Sequence, residues 1–235
     1  MSGDILYNVR DWQRVQRLGV HPTVISPESY AARVLAGMRL GQATLAETKD
    51  TVPSISTIKG LHYIMFEGVH PWAGTFRQPG HEVSAGKLDC SLAVDVPKDL
   101  MKLRKEMLDN PLSGSKEYKA EVLAFYHASF LAIHPFADGN GRVAREILDF
   151  QTRRLLGHSF SQRIERGEYI EALSVAQGTG QLKPLAKIIS RNDLKVSRSL
   201  LSSGEQERLQ SHDDSLLVSR PVMVDEMAFS GLRRR

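Results

Sequence analysis

The broad apolar face between Lys116 and Ile133, stopped at once by His134-Pro135, constrains the fold of this chain more than any other stretch. Val122, Leu123, Phe125, Tyr126, Phe130 and Ile133 fall at helical spacing, which predicts a long helix with one side in a core. Pro135 has no N–H to continue that helix, and its ring pushes His134 out of helical geometry. A second apolar series, Val143, Ile147, Leu148 and Phe150, predicts another helix after Gly141.

The rest of the chain is punctuated in the same way. Ser26 and Pro27 read as the cap and first position of a helix running through Tyr30, Val34, Leu35 and Met38 towards Gly41. Ile58, Leu61, Ile64 and Met65 predict a helix over 57–66, and Pro97 opens another that ends before Pro111. Tyr169, Leu173 and Val175 suggest one more helix, and 182–189 a last one, entered through Pro184. Residues 79–96, with Pro79, Gly80 and Gly86, suit a small β-hairpin or ordered flap better than a helix. Residues 1–25 show no clear period. Beyond Lys195 serines crowd a charged stretch, which weakens the case for core packing. The expected class is mainly α with one small β element. The expected division is an N-terminal helical extension (1–39), a central domain (40–195) and a partly helical or mobile appendage (196–235).

Composition excludes some classes of function. The 31 basic and 27 acidic residues give a net charge of only +4, which weighs against a nucleic-acid surface. The single cysteine, Cys90, cannot form an internal disulfide and suits a reducing compartment. No apolar run approaches the ~18 residues of a membrane span. Asp4, Arg10, Asp11 and Arg14 leave no signal-peptide core. A cytosolic protein is expected, or one exported by a route that reads no cleavable signal, with no membrane partner.

The loop between the two strongest helices carries the chemistry. His134 titrates near ~6.5 when unperturbed and could take a proton from a substrate hydroxyl. Asp138 is of the type that binds Mg²⁺ together with phosphate oxygens and waters. Gly139 and Gly141 leave room for an anion at the start of the second helix, whose first amides lack partners. Asn140 adds a neutral donor to a phosphate oxygen. Arg142 and Arg145, three apart, share a helix face and could both address phosphates. Gly139-Asn140-Gly141 also mimics the start of a dinucleotide fingerprint, but helix rather than strand precedes it.

His134-Pro135-Phe136-Ala137-Asp138-Gly139-Asn140-Gly141-Arg142 resembles the signature of the Fic family, His-Pro-Phe-x-Asp/Glu-Gly-Asn-Gly/Lys-Arg, at every specified position. Arg145 matches the family's common second arginine, and Trp72-Ala73-Gly74-Thr75-Phe76-Arg77 is similar to the stretch preceding the family's flap. The resemblance covers roughly residues 40–195 and implies a helical Fic core that transfers AMP from ATP to a Ser, Thr or Tyr hydroxyl of a target protein. It implies that His134 deprotonates the hydroxyl and Asp138 holds Mg²⁺. Gly139, Asn140 and Gly141 would cradle phosphates, with Arg142 and Arg145 on the β- and γ-phosphates. The flap would hold the target segment by strand addition. Doc-like members, associated with phosphorylation, carry lysine where this chain has Gly141, so Gly141 favours AMP transfer. Other Fic-type reactions (phosphorylation, AMP removal) and a silent Fic-fold adaptor are the alternatives. The family's inhibitory pattern, Ser/Thr-x-x-x-Glu-Gly/Asn, has no full match. Glu67-Gly68 follows Tyr63, while Glu165 and Glu207 each precede an arginine. Inhibition by a separate antitoxin-like protein is therefore expected.

Overall fold

The computed structural model describes residues 9–80, 83–85, 88–110, 112–160 and 165–191. The chain divides into two units, Met1–Arg191 and Asn192–Arg235. The expected appendage at 196–235, Glu207 included, lies outside the described residues.

Helix α1 (Val9–Arg17) forms where the sequence gave no period, and its segment is tied down by later residues. Trp72 Nε1–H donates to the Leu18 carbonyl at 2.8 Å and His70 Nδ1–H to that of Gly19 at 2.7 Å. Helix α2 (Pro27–Glu47) starts as read, with Ser26 accepting from the Ser29 N–H and the Ser29 hydroxyl answering the Ser26 N–H. It runs six residues beyond Gly41, so positions 39 and 40 lie inside one continuous helix. Gly37 lets it lie close on α3 (Ile55–Phe66), because a Cβ there would sit 2.5 Å from the Met65 carbonyl oxygen.

Two short strands, β1 (Ser84–Ala85) and β2 (Leu88–Asp89), pair antiparallel with Ser84 opposite Asp89. A 3₁₀ turn at Ala93–Asp95 leads into α4 (Val96–Asp109). Helix α5 (Lys116–Ile133) occupies the predicted span and carries the core. α4, α6 (Asn140–Leu156), α7 (Arg166–Thr179) and α8 (Lys183–Ser190) all pack on it, while α2 lies on α3 and α6. Leu123, Phe130, Ile147, Leu148, Leu185 and Ile189 are fully buried at these contacts. Hydrophobic burial of this kind, roughly 25 cal/mol per Å² of apolar surface, dominates the stability of such a bundle. No described helix is long and apolar enough to cross a membrane.

Candidate functional site

His134 closes α5 as its C-cap with φ 53°, and among the described residues it is the one non-glycine with positive φ. Such a conformation costs about 1–3 kcal/mol and persists only where its surroundings hold it. Arg77 does the holding. It is 3% exposed, and its guanidinium donates to the carbonyls of His134 (2.8 Å), Ile133 (3.3 Å) and Ser91, while its backbone N–H donates to Pro135 (3.0 Å). A cation there also meets the negative end of the α5 dipole.

The ring of His134 is oriented as well. Its Nδ1–H donates to the Leu131 carbonyl at 3.2 Å, and since a carbonyl can only accept, Nε2 keeps the lone pair. Burial lowers the pKa below its ordinary value, opposed by the Leu131 bond and helped by the charges of Arg77 and Arg14. A half-buried neutral imidazole with an open Nε2 is a competent proton acceptor at neutral pH.

The loop that follows closes on itself. Asn140, 2% exposed, accepts from the Phe136 N–H (2.8 Å) and donates to the Phe136 carbonyl (2.7 Å). The sequence suggested a phosphate oxygen for this side chain. The loop uses it instead, and what Asn140 offers an anion is its backbone N–H. Asn140 and Gly141 are the first two residues of α6, where amides lack helical acceptors and the dipole is positive. Gly139, at φ 83°, must be glycine, because a Cβ would lie 2.5 Å from Cζ of Phe66. Gly141 is outside the left-handed region, and a Cβ there would come 3.4 Å from Nη1 of Arg145.

Asp138 and Arg142 form one cluster. Asp138 Oδ2 accepts from Arg142 Nη2–H at 2.8 Å and from the Tyr30 hydroxyl at 3.2 Å. Burial alone would raise its pKa, but Arg142, then His70 and the Gly139 N–H, hold it below the usual carboxylate value. The Arg142 guanidinium lies 4.7 Å from the Phe66 ring centroid and 5.6 Å from that of Tyr30. Arg145, three residues on, is exposed, with its Nη1 beside Gly141. Of the two arginines, Arg142 is committed to Asp138 and Arg145 is not.

Residues 53–152 match the Fic/DOC family. Over this segment, somewhat under half of the chain, the sequence is similar to that family. Protein adenylyltransferase VbhT of Bartonella schoenbuchensis is 26% identical over 219 residues, 89% of this chain and 42% of the relative. Protein adenylyltransferase Fic of Nematostella vectensis is 28% identical over 165 residues, 68% of this chain and 37% of the relative. The chain thus spans well under half the length of these two curated relatives. The crystal structure of the Bartonella tribocorum effector BepC with bound AMPPNP superposes with a TM-score of 0.58 at 19% identity, over 70% of this chain and 86% of that one. That likeness is one of fold.

Three residues that the sequence reading did not single out hold the 134–142 loop. His62 on α3 is fully buried, stacked on Phe136 at 3.8 Å and on Phe66 at 4.6 Å. Its Nδ1 accepts from the Gly74 N–H (2.8 Å), so its Nε2–H donates to the Asp138 carbonyl (3.1 Å). Burial pushes its pKa down to about 3, against the Asp138 bond. His70 stacks on Trp72 at 4.2 Å and points Nε2, buried without a hydrogen-bond partner, at Asp138 Oδ2 3.9 Å away. Tyr30 completes the set from α2. One signal for His62 was in the sequence: it sits four residues after Ile58 and three before Met65, on the apolar face of its helix. Glu67, a partial match to the inhibitory pattern, accepts from the Tyr63 hydroxyl at 2.7 Å on the exposed end of α3.

Proposed function

We propose that this chain transfers AMP from ATP to a Ser, Thr or Tyr hydroxyl of another protein. The observation that carries this reading is His134: neutral, held from behind by Arg77, with its Nε2 lone pair open, six residues before the amides that begin α6. Support comes from relatives that bear the name protein adenylyltransferase and from a similarly folded effector that binds AMPPNP.

His134 Nε2 takes the proton of the target hydroxyl as its oxygen attacks the α-phosphorus. The bond from that phosphorus to the α–β bridging oxygen breaks, pyrophosphate leaves, and the target keeps AMP as a phosphodiester. Positioning and charge neutralisation lower the barrier. The Asn140 and Gly141 amides meet phosphate oxygens at the positive end of α6. Arg145 takes the terminal phosphates, and Arg142 acts beside them through its pairing with Asp138. Asp138 would hold Mg²⁺, which when bound neutralises phosphate charge. A single ionised carboxylate, its side chain 13% exposed, fits an ion that draws its other ligands from nucleotide and water.

Residues 40–195 form the reacting unit in this reading, joined by the start of α2 because Tyr30 reaches Asp138. The hairpin of β1 and β2 is the flap, and its edge would hold the target segment by strand addition. Inhibition falls to a separate antitoxin-like protein, and the chain acts in a bacterial cytosol or in a host cell. With ATP labelled on the α-phosphate, His134→Ala should lose target labelling by about 10²-fold or more while still binding ATP. Equal labelling by both forms would defeat the role of His134.

A further inference from the structure

The Asp138 carboxylate has a partner from outside the 53–152 segment that matches the family. Tyr30, on α2, is 0% exposed, and its hydroxyl donates to Asp138 Oδ2 at 3.2 Å. An ionised carboxylate only accepts, so the direction of this bond is fixed. The ring stands edge-on to Trp12 and to His70, with centroids 6.1 and 5.8 Å away. Arg142 Nη2–H, from α6, donates to the same oxygen at 2.8 Å. Both bonds fall on Oδ2, which leaves Oδ1 for a cation. His70 does not replace the phenol: its Nδ1 is committed to the Gly19 carbonyl at 2.7 Å, and its Nε2, 3.9 Å from Oδ2, is too far for a hydrogen bond.

The last torsion of an aspartate is broad, so a single donor leaves the carboxylate free to turn. Two donors from different helices stop it. The two are not equivalent. Arg142 also offers charge to phosphates, whereas the phenol is neutral and holds Oδ2 without offsetting the negative charge that a cation needs. We propose that Tyr30 is a positioning residue: with Arg142 it pins Oδ2 of Asp138 and so keeps Oδ1 for the Mg²⁺ that arrives with the nucleotide. This rests on the reading of Asp138 as the magnesium ligand, and it makes α2 part of the metal-binding unit. Hydrogen-bond partners of metal-binding carboxylates typically contribute about 10–100-fold to metal affinity.

The test measures binding rather than transfer, on the whole chain. Affinity for an ATP analogue with a methylene bridge between its α and β phosphates is measured by calorimetry with Mg²⁺ and with EDTA. The ratio of the two is the gain from the ion. Asp138→Asn should remove most of that gain. Tyr30→Phe keeps the ring and loses only the hydroxyl. It should lower the gain about tenfold, leave affinity in EDTA within about twofold, and lower Tm by a few degrees at most. In the Asp138→Asn background the same change should not lower the gain further, because Tyr30 acts through that carboxylate. A gain in Tyr30→Phe equal to that of wild type would overturn the proposal. Equal losses with Mg²⁺ and with EDTA would overturn it too, as the mark of a merely structural role. A wild type that gains nothing from Mg²⁺, or a gain that survives Asp138→Asn, would defeat the magnesium role of Asp138 and the proposal with it. Transfer of a group other than AMP would sink AMP transfer alone and leave the binding result to decide the role of Tyr30.

Discussion

On one flank of the α6 N-terminus, Arg142 reaches back to Asp138 and settles between Phe66 and Tyr30. On the other flank, Arg145 is exposed, with Nη1 beside Gly141. The first flank is closed, because Gly139 has no room and Asp138 is already paired. The second has room beside Gly141 and an exposed cation. Spacing decides which face a residue shares, but the partner on the facing helix decides what its head group can still do.

Substitution of the two glycines should break the comparison most visibly. Gly139→Ala adds a Cβ 2.5 Å from the Phe66 ring at φ 83°, and should cost about 3 kcal/mol or more in urea unfolding. Gly141→Ala, at ordinary helical backbone, should leave stability within about 1 kcal/mol of wild type. Equal losses would mean that the flanks are alike.

The arginines should separate next. Arg142→Ala leaves the mostly buried Asp138 carboxylate without its main partner, so its pKa should rise and stability should fall by about 2–3 kcal/mol. Arg145→Ala removes an exposed side chain and should leave stability within about 0.5 kcal/mol of wild type. Denaturation curves and ¹³C titration of the Asp138 carboxyl would check both, and a carboxyl unmoved in Arg142→Ala would refute the pairing.

Acid should act alike on two buried histidines. His62 and His127 are each pushed down to about 3, first of all by burial, so between pH 6.5 and 3 the unfolded chain binds protons that the folded chain refuses. Their contribution is complete above pH 6.5 and is lost as pH falls, at about 1.4 kcal/mol per pH unit for each histidine. Replacing His127 with Phe should remove one histidine's share of that slope. A slope unchanged in the variant would show that His127 already binds its proton when folded.

The helices that build this site were legible because local signals agree with packing. Ser26-Pro27 caps α2, the apolar series of α5 ends at His134-Pro135, and Pro184 enters α8. Helix α1 was not legible, since what orders its segment is carbonyl capture by His70 and Trp72 from more than fifty residues away. Within the loop the sequence brings out His134, Asp138 and the glycines. It does not show that both ends of the Asn140 amide brace the Phe136 backbone, because nothing local announces that need. Tyr30, His62 and His70 join the site only through tertiary packing, and His62 lies on the apolar face of its helix.

The most direct measurement follows the label on ATP. The chain is incubated with Mg²⁺, a cell lysate and ATP labelled either on the α- or on the γ-phosphate. AMP transfer with Gly141 beside Arg145 predicts protein labelling from the α position alone, with pyrophosphate released. Label entering protein from the γ position would contradict it.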